Sequence, residues 1–279
     1  MVDLGVGDSG AVDGGGRGPQ LSQLRRRVAA TGFALPAFVT YTLFLLVPLV
    51  GTIALSFTNW DGVTWADLKF AGVQNYESLV HDSTFIQALE HNALFLVGAI
   101  GLKITLALIL ALVLEQRLRL SGVFRTIFLM PFVLSLVVIG VVFNLVFDPV
   151  FGFFNPFLRS IGLSSLAGSW LGSPSLALPL LIIIDAWRSF GVYMLLFIVR
   201  TMSIPTDLHE AAFVDGAGRL RHAWHIVLPL LRPTIWLVVL LAAIDSLKLF
   251  DLIYVMTSGG PGNSTEVLAH YGYVEAFDG

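Results

Sequence analysis

The chain has 279 residues, of which 56% are hydrophobic and 13% charged, with a mean hydropathy of +0.83. Water-soluble domains carry about a quarter charged residues, so water is not the main solvent of this chain. A net charge of -3, with the basic residues scattered in short clusters between apolar stretches, argues against a nucleic-acid surface, and the absence of cysteine excludes a disulfide framework, a thiolate metal site and a cysteine nucleophile.

Residues 1–20 are rich in Gly and Asp without apolar periodicity and read as a disordered tail ahead of a membrane domain over 21–279. Residues 31–57 carry no charge. That stretch exceeds the roughly 20 residues needed to cross a bilayer and is too long for a signal-peptide core, so it reads as an uncleaved first span. Pro36 and Pro48 lie inside it, which membrane helices tolerate where neighbours satisfy the freed carbonyls. Further spans are expected at 92–114, 123–147, 176–199 and 234–256, predicting an all-α polytopic bundle of five visible spans.

Threading these spans puts eleven basic residues on one side and two, Lys69 and Arg159, on the other. Cytoplasmic loops retain positive charge, so the amino terminus is expected in the cytoplasm, with outer loops at 58–91 and 148–175 and a long inner loop at 200–233. Thr257 to Asn263 is a strong turn signal on the outer side. Residues 268–277 are too short and polar to cross alone, and the chain is expected to stop short of a sixth span.

The inner loop carries the informative pattern. Pro205 ends the preceding span, Asp207 can cap a new helix with Glu210 as its box partner, and Gly216 permits a reversal. Pro229 and Pro233 are expected to break the second helix before the next span. Ala211 and Ala212 keep one face flat for close approach, while Glu210 and Asp215 leave acidic groups for a basic partner. Physics alone leaves two readings open, a hairpin resting on the membrane surface or a docking element.

Glu210, Ala211, Ala212, Gly216, Ile226, Leu228 and Pro229 fill every position of the pattern Glu-Ala-Ala, three residues, Gly, nine residues, Ile, one residue, Leu-Pro. With it the chain resembles the integral-membrane permeases of bacterial ABC importers, from about residue 28 to 277. Ser56 to Trp60, Gly72 to Tyr76, and Phe250 to Tyr254 running into Thr257 to Pro261 resemble the carbohydrate-importing branch, of the maltose and glycerol-phosphate type. The resemblance implies the type I importer permease fold in the bacterial inner membrane, with a sixth span where this chain ends. It also implies a coupling helix at Glu210, Ala211, Ala212, Asp215 and Gly216 that sits in a cleft of an ATPase subunit. A second permease, two ATPase copies, an extracytoplasmic sugar-binding protein and a sugar substrate complete the implied assembly. No GxxxxGK[ST] phosphate loop occurs, so ATP and magnesium belong to the partner ATPase and no cofactor is expected on this chain.

Within the spans, Asp185 and Arg188 lie three apart and can neutralise each other, with Ser189 and Tyr193 extending the same polar face. Asp245, Lys248 and Asp251 step by three as a charge ladder, with Ser246 and Leu249 beside Lys248. Phe132, just past Pro131, is suited to stack on a sugar ring. The resemblance implies that parts of these helices line the sugar cavity. Lys103 lies mid-span without a partner at helical spacing and receives no role. His222 and His225 are spaced for a surface pair rather than a metal site. The alternatives are a permease for another solute such as glycerol phosphate, an ion-coupled secondary transporter, and an intramembrane enzyme, for which no intramembrane His or ligand cluster is visible.

Overall fold

The computed structural model of the chain describes residues 32–115, apart from 61, 63 and 67, and residues 121–277. The tail at 1–20 and the basic residues at 17, 25–27, 117 and 119 lie outside the described residues. Two compact units divide at Glu77 and Ser78.

In the first unit, α1 (Gly32–Leu55) is long and apolar enough to span a membrane. It passes Pro48 by widening into one π turn, Thr42–Leu46, in which the Val47 N–H reaches back to the Thr42 carbonyl. Proline cannot donate to the carbonyl four residues earlier and its ring crowds that carbonyl, and a π turn relieves both. After α1 the two sequence stretches at 56–60 and 72–76 meet. Asn75 donates from Nδ2 to the carbonyls of Ser56 and Thr58 at 2.9 and 2.7 Å. The Ser56 and Tyr76 hydroxyls are 2.6 Å apart, and the Phe57 and Tyr76 rings pack at 5.4 Å. Helix α2 (Gln74–His81) carries the chain onward.

The second unit contains α3 (Ser83–Glu115), α4 (Ser121–Val133), α5 (Leu136–Val146), α6 (Phe154–Ser160), α7 (Pro174–Met202), α8 (Thr206–Val214), α9 (Leu220–Leu247), α10 (Asp251–Met256) and α11 (Leu268–Phe277). Helix α7 is the centre; α3, α4 and α9 pack on it, and α10 packs on α5. Buried alanines, Ala99, Ala107, Ala111, Ala186 and Ala242, let these helices approach closely, which is how helices associate where lipid supplies no hydrophobic drive. Gly191 goes furthest, since a Cβ there would land on the Phe128 carbonyl of α4.

Two expectations about spans are corrected. Residues 123–147 do not form one straight span: α4 and α5 meet at a bend of 96°. Pro131 withholds a donor from the end of α4, and Ser135 takes an extended backbone (ψ 141°) that restarts the chain as α5. Pro229 and Pro233 do not break the helix either, because α9 runs continuously from Leu220 to Leu247. The device of α1 is repeated: a π turn at Ala223–Val227, with the Leu228 N–H bonded to the Ala223 carbonyl, accommodates Pro229. The fifth span instead ends at Leu247, and α10 restarts after Phe250.

Asn155 organises the stretch between α5 and α7, accepting at Oδ1 from the Gly168 N–H at 3.2 Å and the Trp170 Nε1 at 3.1 Å while donating to the Gly168 carbonyl at 3.0 Å. The predicted turn after α10 is present, with positive φ at Ser258, Gly259, Gly262 and Asn263.

Candidate functional site

The inner hairpin is built from chain signals acting in sequence. Helix α7 ends where the Ser203 hydroxyl and N–H both turn back to the Arg200 carbonyl, at 2.7 and 3.1 Å, and Pro205 prevents continuation. Helix α8 then begins at Thr206, so Asp207 stands inside its first turn and not at the cap; there its carboxylate faces the positive end of the helix dipole. The helix stops with Gly216 at φ +73° and the Ala217 N–H bonded to the Ala212 carbonyl at 2.9 Å, the bond that marks a Schellman stop.

Ala211 and Ala212 do not share a flat outer face. Ala212 is buried, whereas Glu210, Ala211, Asp215, Leu208 and Val214 are exposed. Consecutive residues point about 100° apart on a helix, so one alanine faces in and the other out. The free face of α8 is therefore acidic and apolar. His222 pairs with His209 and not with His225; His209 Nδ1 and His222 Nε2 lie 2.9 Å apart and tie α8 to the start of α9, while His225 Nδ1 meets the Arg221 carbonyl at 3.0 Å.

At membrane depth the charges pair differently from their spacing on single helices. Lys103 of α3 is fully buried, with Nζ 2.7 Å from Asp185 Oδ2 on α7, 3.0 Å from Asp245 Oδ2 on α9 and 3.5 Å from the Ser246 hydroxyl. Asp185 thus pairs with Lys103, not Arg188, and the ladder of Asp245, Lys248 and Asp251 does not form. Asp245 turns to Lys103, Lys248 is exposed at the end of α9, and Asp251 opens α10 beyond the break. Arg188 lays its guanidinium over Phe132, with Cζ 5.0 Å from the ring centre, and its Nε is buried without a hydrogen-bond partner. Phe132 itself is 39% exposed.

The remaining predicted cavity residues are enclosed. The Ser189 hydroxyl is buried and donates to the Asp185 carbonyl at 2.7 Å, Tyr193 packs in one apolar cluster with Met194 and Phe197, and Leu249 packs in another with Phe95 and Leu252. Ser246 is buried beside Lys103. The structure thus brings Asp185 and Ser246 together through Lys103, and pairs Phe132 with Arg188. Lys103 is the residue that the sequence left without a role; its one signal was a charge in an otherwise apolar span.

Residues 103–277 match the family model of the binding-protein-dependent transport system inner membrane component. The chain belongs to this family of inner-membrane permeases. It is 37% identical over 247 residues to a probable ABC transporter permease protein of Bacillus subtilis, covering 88% of this chain and 84% of the relative. It is 34% identical over 246 residues to the trehalose/maltose transport permease of Thermococcus litoralis, covering 88% and 82%. With the lactose transport permease of Rhizobium radiobacter it shares 35% identity over 257 residues, covering 90% and 85%. Its fold matches a subunit in the crystal structure of a bacterial ABC transporter that imports the acidic polysaccharide alginate, with a TM-score of 0.79 at 22% identity, covering 93% of this chain and 87% of that one. The expected all-α importer permease fold is therefore present.

Proposed function

We propose that this permease is one half of the translocation pathway of an ATP-driven carbohydrate importer, with its amino terminus in the cytoplasm. The observation that carries the reading is the α8 hairpin, a helix with an exposed acidic and apolar face, stopped by Gly216, between two membrane helices. Glu210, Ala211 and Asp215 meet a separate ATPase subunit, present in two copies, and Ala212 and Gly216 hold the helix in place. ATP and magnesium are used by that partner; this chain binds neither, catalyses no reaction, and pairs with a second permease beneath an extracytoplasmic binding protein. The substrates for which two relatives are named, trehalose/maltose and lactose, support a sugar as cargo. Phe132 and Arg188 offer the open stacking and hydrogen-bonding surface of the pathway, while Asp185, Ser189, Tyr193, Ser246 and Leu249 back it from within.

Gly216→Val tests the docking role. Valine at φ +73° forces the left-handed region on a β-branched residue, so the hairpin should reopen, and sugar uptake should fall while the subunit still inserts. Uptake and ATPase association both at wild-type levels would refute it. Orientation is read separately with single cysteines: a residue placed at Leu220 should resist an impermeant thiol reagent in intact cells, and one at Ala66 should react. Labelling at Leu220 would reverse the topology.

A further inference from the structure

The charge cluster lies between two apolar layers. Going along α3, Ala99 belongs to one layer and Ala107 to the other; along α7 the same holds for Ile184 and Tyr193, and at the end of α9 for Leu249, just past the helix, and Ala242. Lys103 sits between them, ion-paired with Asp185 and hydrogen-bonded to Asp245 and Ser246. One ammonium thus connects three helices. Two of these, α7 and α9, are the helices that enter and leave the α8 hairpin.

We propose that Lys103 is a positioning residue that fastens α7 and α9 to α3 throughout the transport cycle, so that motion delivered at the hairpin moves the three helices as one body. The physical reason is the cost of opening. Separating these helices would strand a fully buried ammonium and a buried Asp185 carboxylate between apolar layers. Arg188 supplies a second positive charge one turn from Asp185, so the four charges of Lys103, Arg188, Asp185 and Asp245 sum to zero, and no external counter-ion is needed in any state. Relative motion is instead assigned to the places where the helical ladder is already interrupted, the 96° joint between α4 and α5 and the break between Leu247 and Asp251.

The inference rests on the docking role proposed above, and failure of that role shows in a different variant and readout, retained uptake in Gly216→Val. The test uses the complete transporter with spin labels on introduced cysteines at two exposed pairs, Val113 with Ile183 and Ile183 with Trp236. Distances are measured without nucleotide and after trapping with ATP and vanadate. Both should stay within about 3 Å between the two states, and a larger change in either overturns the proposal. A second readout is the variant carrying Lys103→Met, Asp185→Asn and Asp245→Asn together, which removes the fastening without stranding a charge. Its sugar transported per ATP hydrolysed should fall about tenfold, an unchanged ratio overturns the proposal, and if that variant does not assemble the two distances decide alone.

Discussion

Gly191→Ala adds one methyl group at the closest approach of α7 to α4. Built on the native backbone, that carbon would overlap the Phe128 carbonyl oxygen and sit 2.7 Å from the Phe128 carbonyl carbon and 3.1 Å from the Leu129 Cα. These are backbone atoms, so no rotamer change relieves the overlap and α4 must retreat by a few tenths of an ångström to about one. Overpacking of this kind costs about 1–3 kcal/mol, a factor of roughly 5 to 150 in the equilibrium against the native packing. Because Arg188 is less than one turn away on α7 and Phe132 one turn beyond Phe128 on α4, the retreat should also pull that stacked pair apart. The assay is thermal unfolding of the purified transporter in detergent alongside uptake in vesicles. Gly101→Ala is the control, since its added carbon meets nothing within 4 Å and alanine is the better helix former. A Gly191→Ala variant as stable and active as Gly101→Ala would refute the claim that this contact is closed by backbone.

Phe132→Leu removes the ring under Arg188, an interaction worth about 0.5–2 kcal/mol, and should raise the sugar concentration for half-maximal uptake by roughly 2- to 30-fold with assembly intact; unchanged uptake kinetics would remove Phe132 from the pathway. Just before α3 begins, Asp82 accepts at Oδ2 a hydrogen bond from the Tyr271 hydroxyl of α11 at 2.6 Å. That hydrogen bond holds the Asp82 carboxyl below its ordinary range, and pushes the Tyr271 phenol up to about 12. The Asp82 contribution to stability is therefore present above its unfolded pKa and lost as pH falls through the depressed value; that of Tyr271 is present below pH 10 and lost as pH rises towards 12. Tyr271→Phe should remove the alkaline loss and return the Asp82 titration upward, read by pH-dependent thermal unfolding; an alkaline limb that persists would assign it elsewhere.

What the sequence determined by itself was local. Predominantly apolar stretches long enough to cross a bilayer identified the spans, since hydropathy needs no neighbour to be read. The spacing from Glu210 to Pro229 identified the hairpin and its family, and the turn at Thr257 to Asn263 followed from its glycines and proline. Tertiary structure decided the rest. Lys103 finds Asp245 142 residues away, so no helical periodicity could pair them, and once they pair, Asp185 is withdrawn from Arg188 and Asp245 from Lys248. The same limit explains Pro229 and Pro131. Each removes one donor and crowds one carbonyl, but whether the helix widens by a π turn, as at Ala223–Val227, or bends by 96°, as between α4 and α5, depends on what packs beside it. Ala211 and Ala212 read alike in sequence, and only the tertiary structure separates the one that faces outward from the one that is buried.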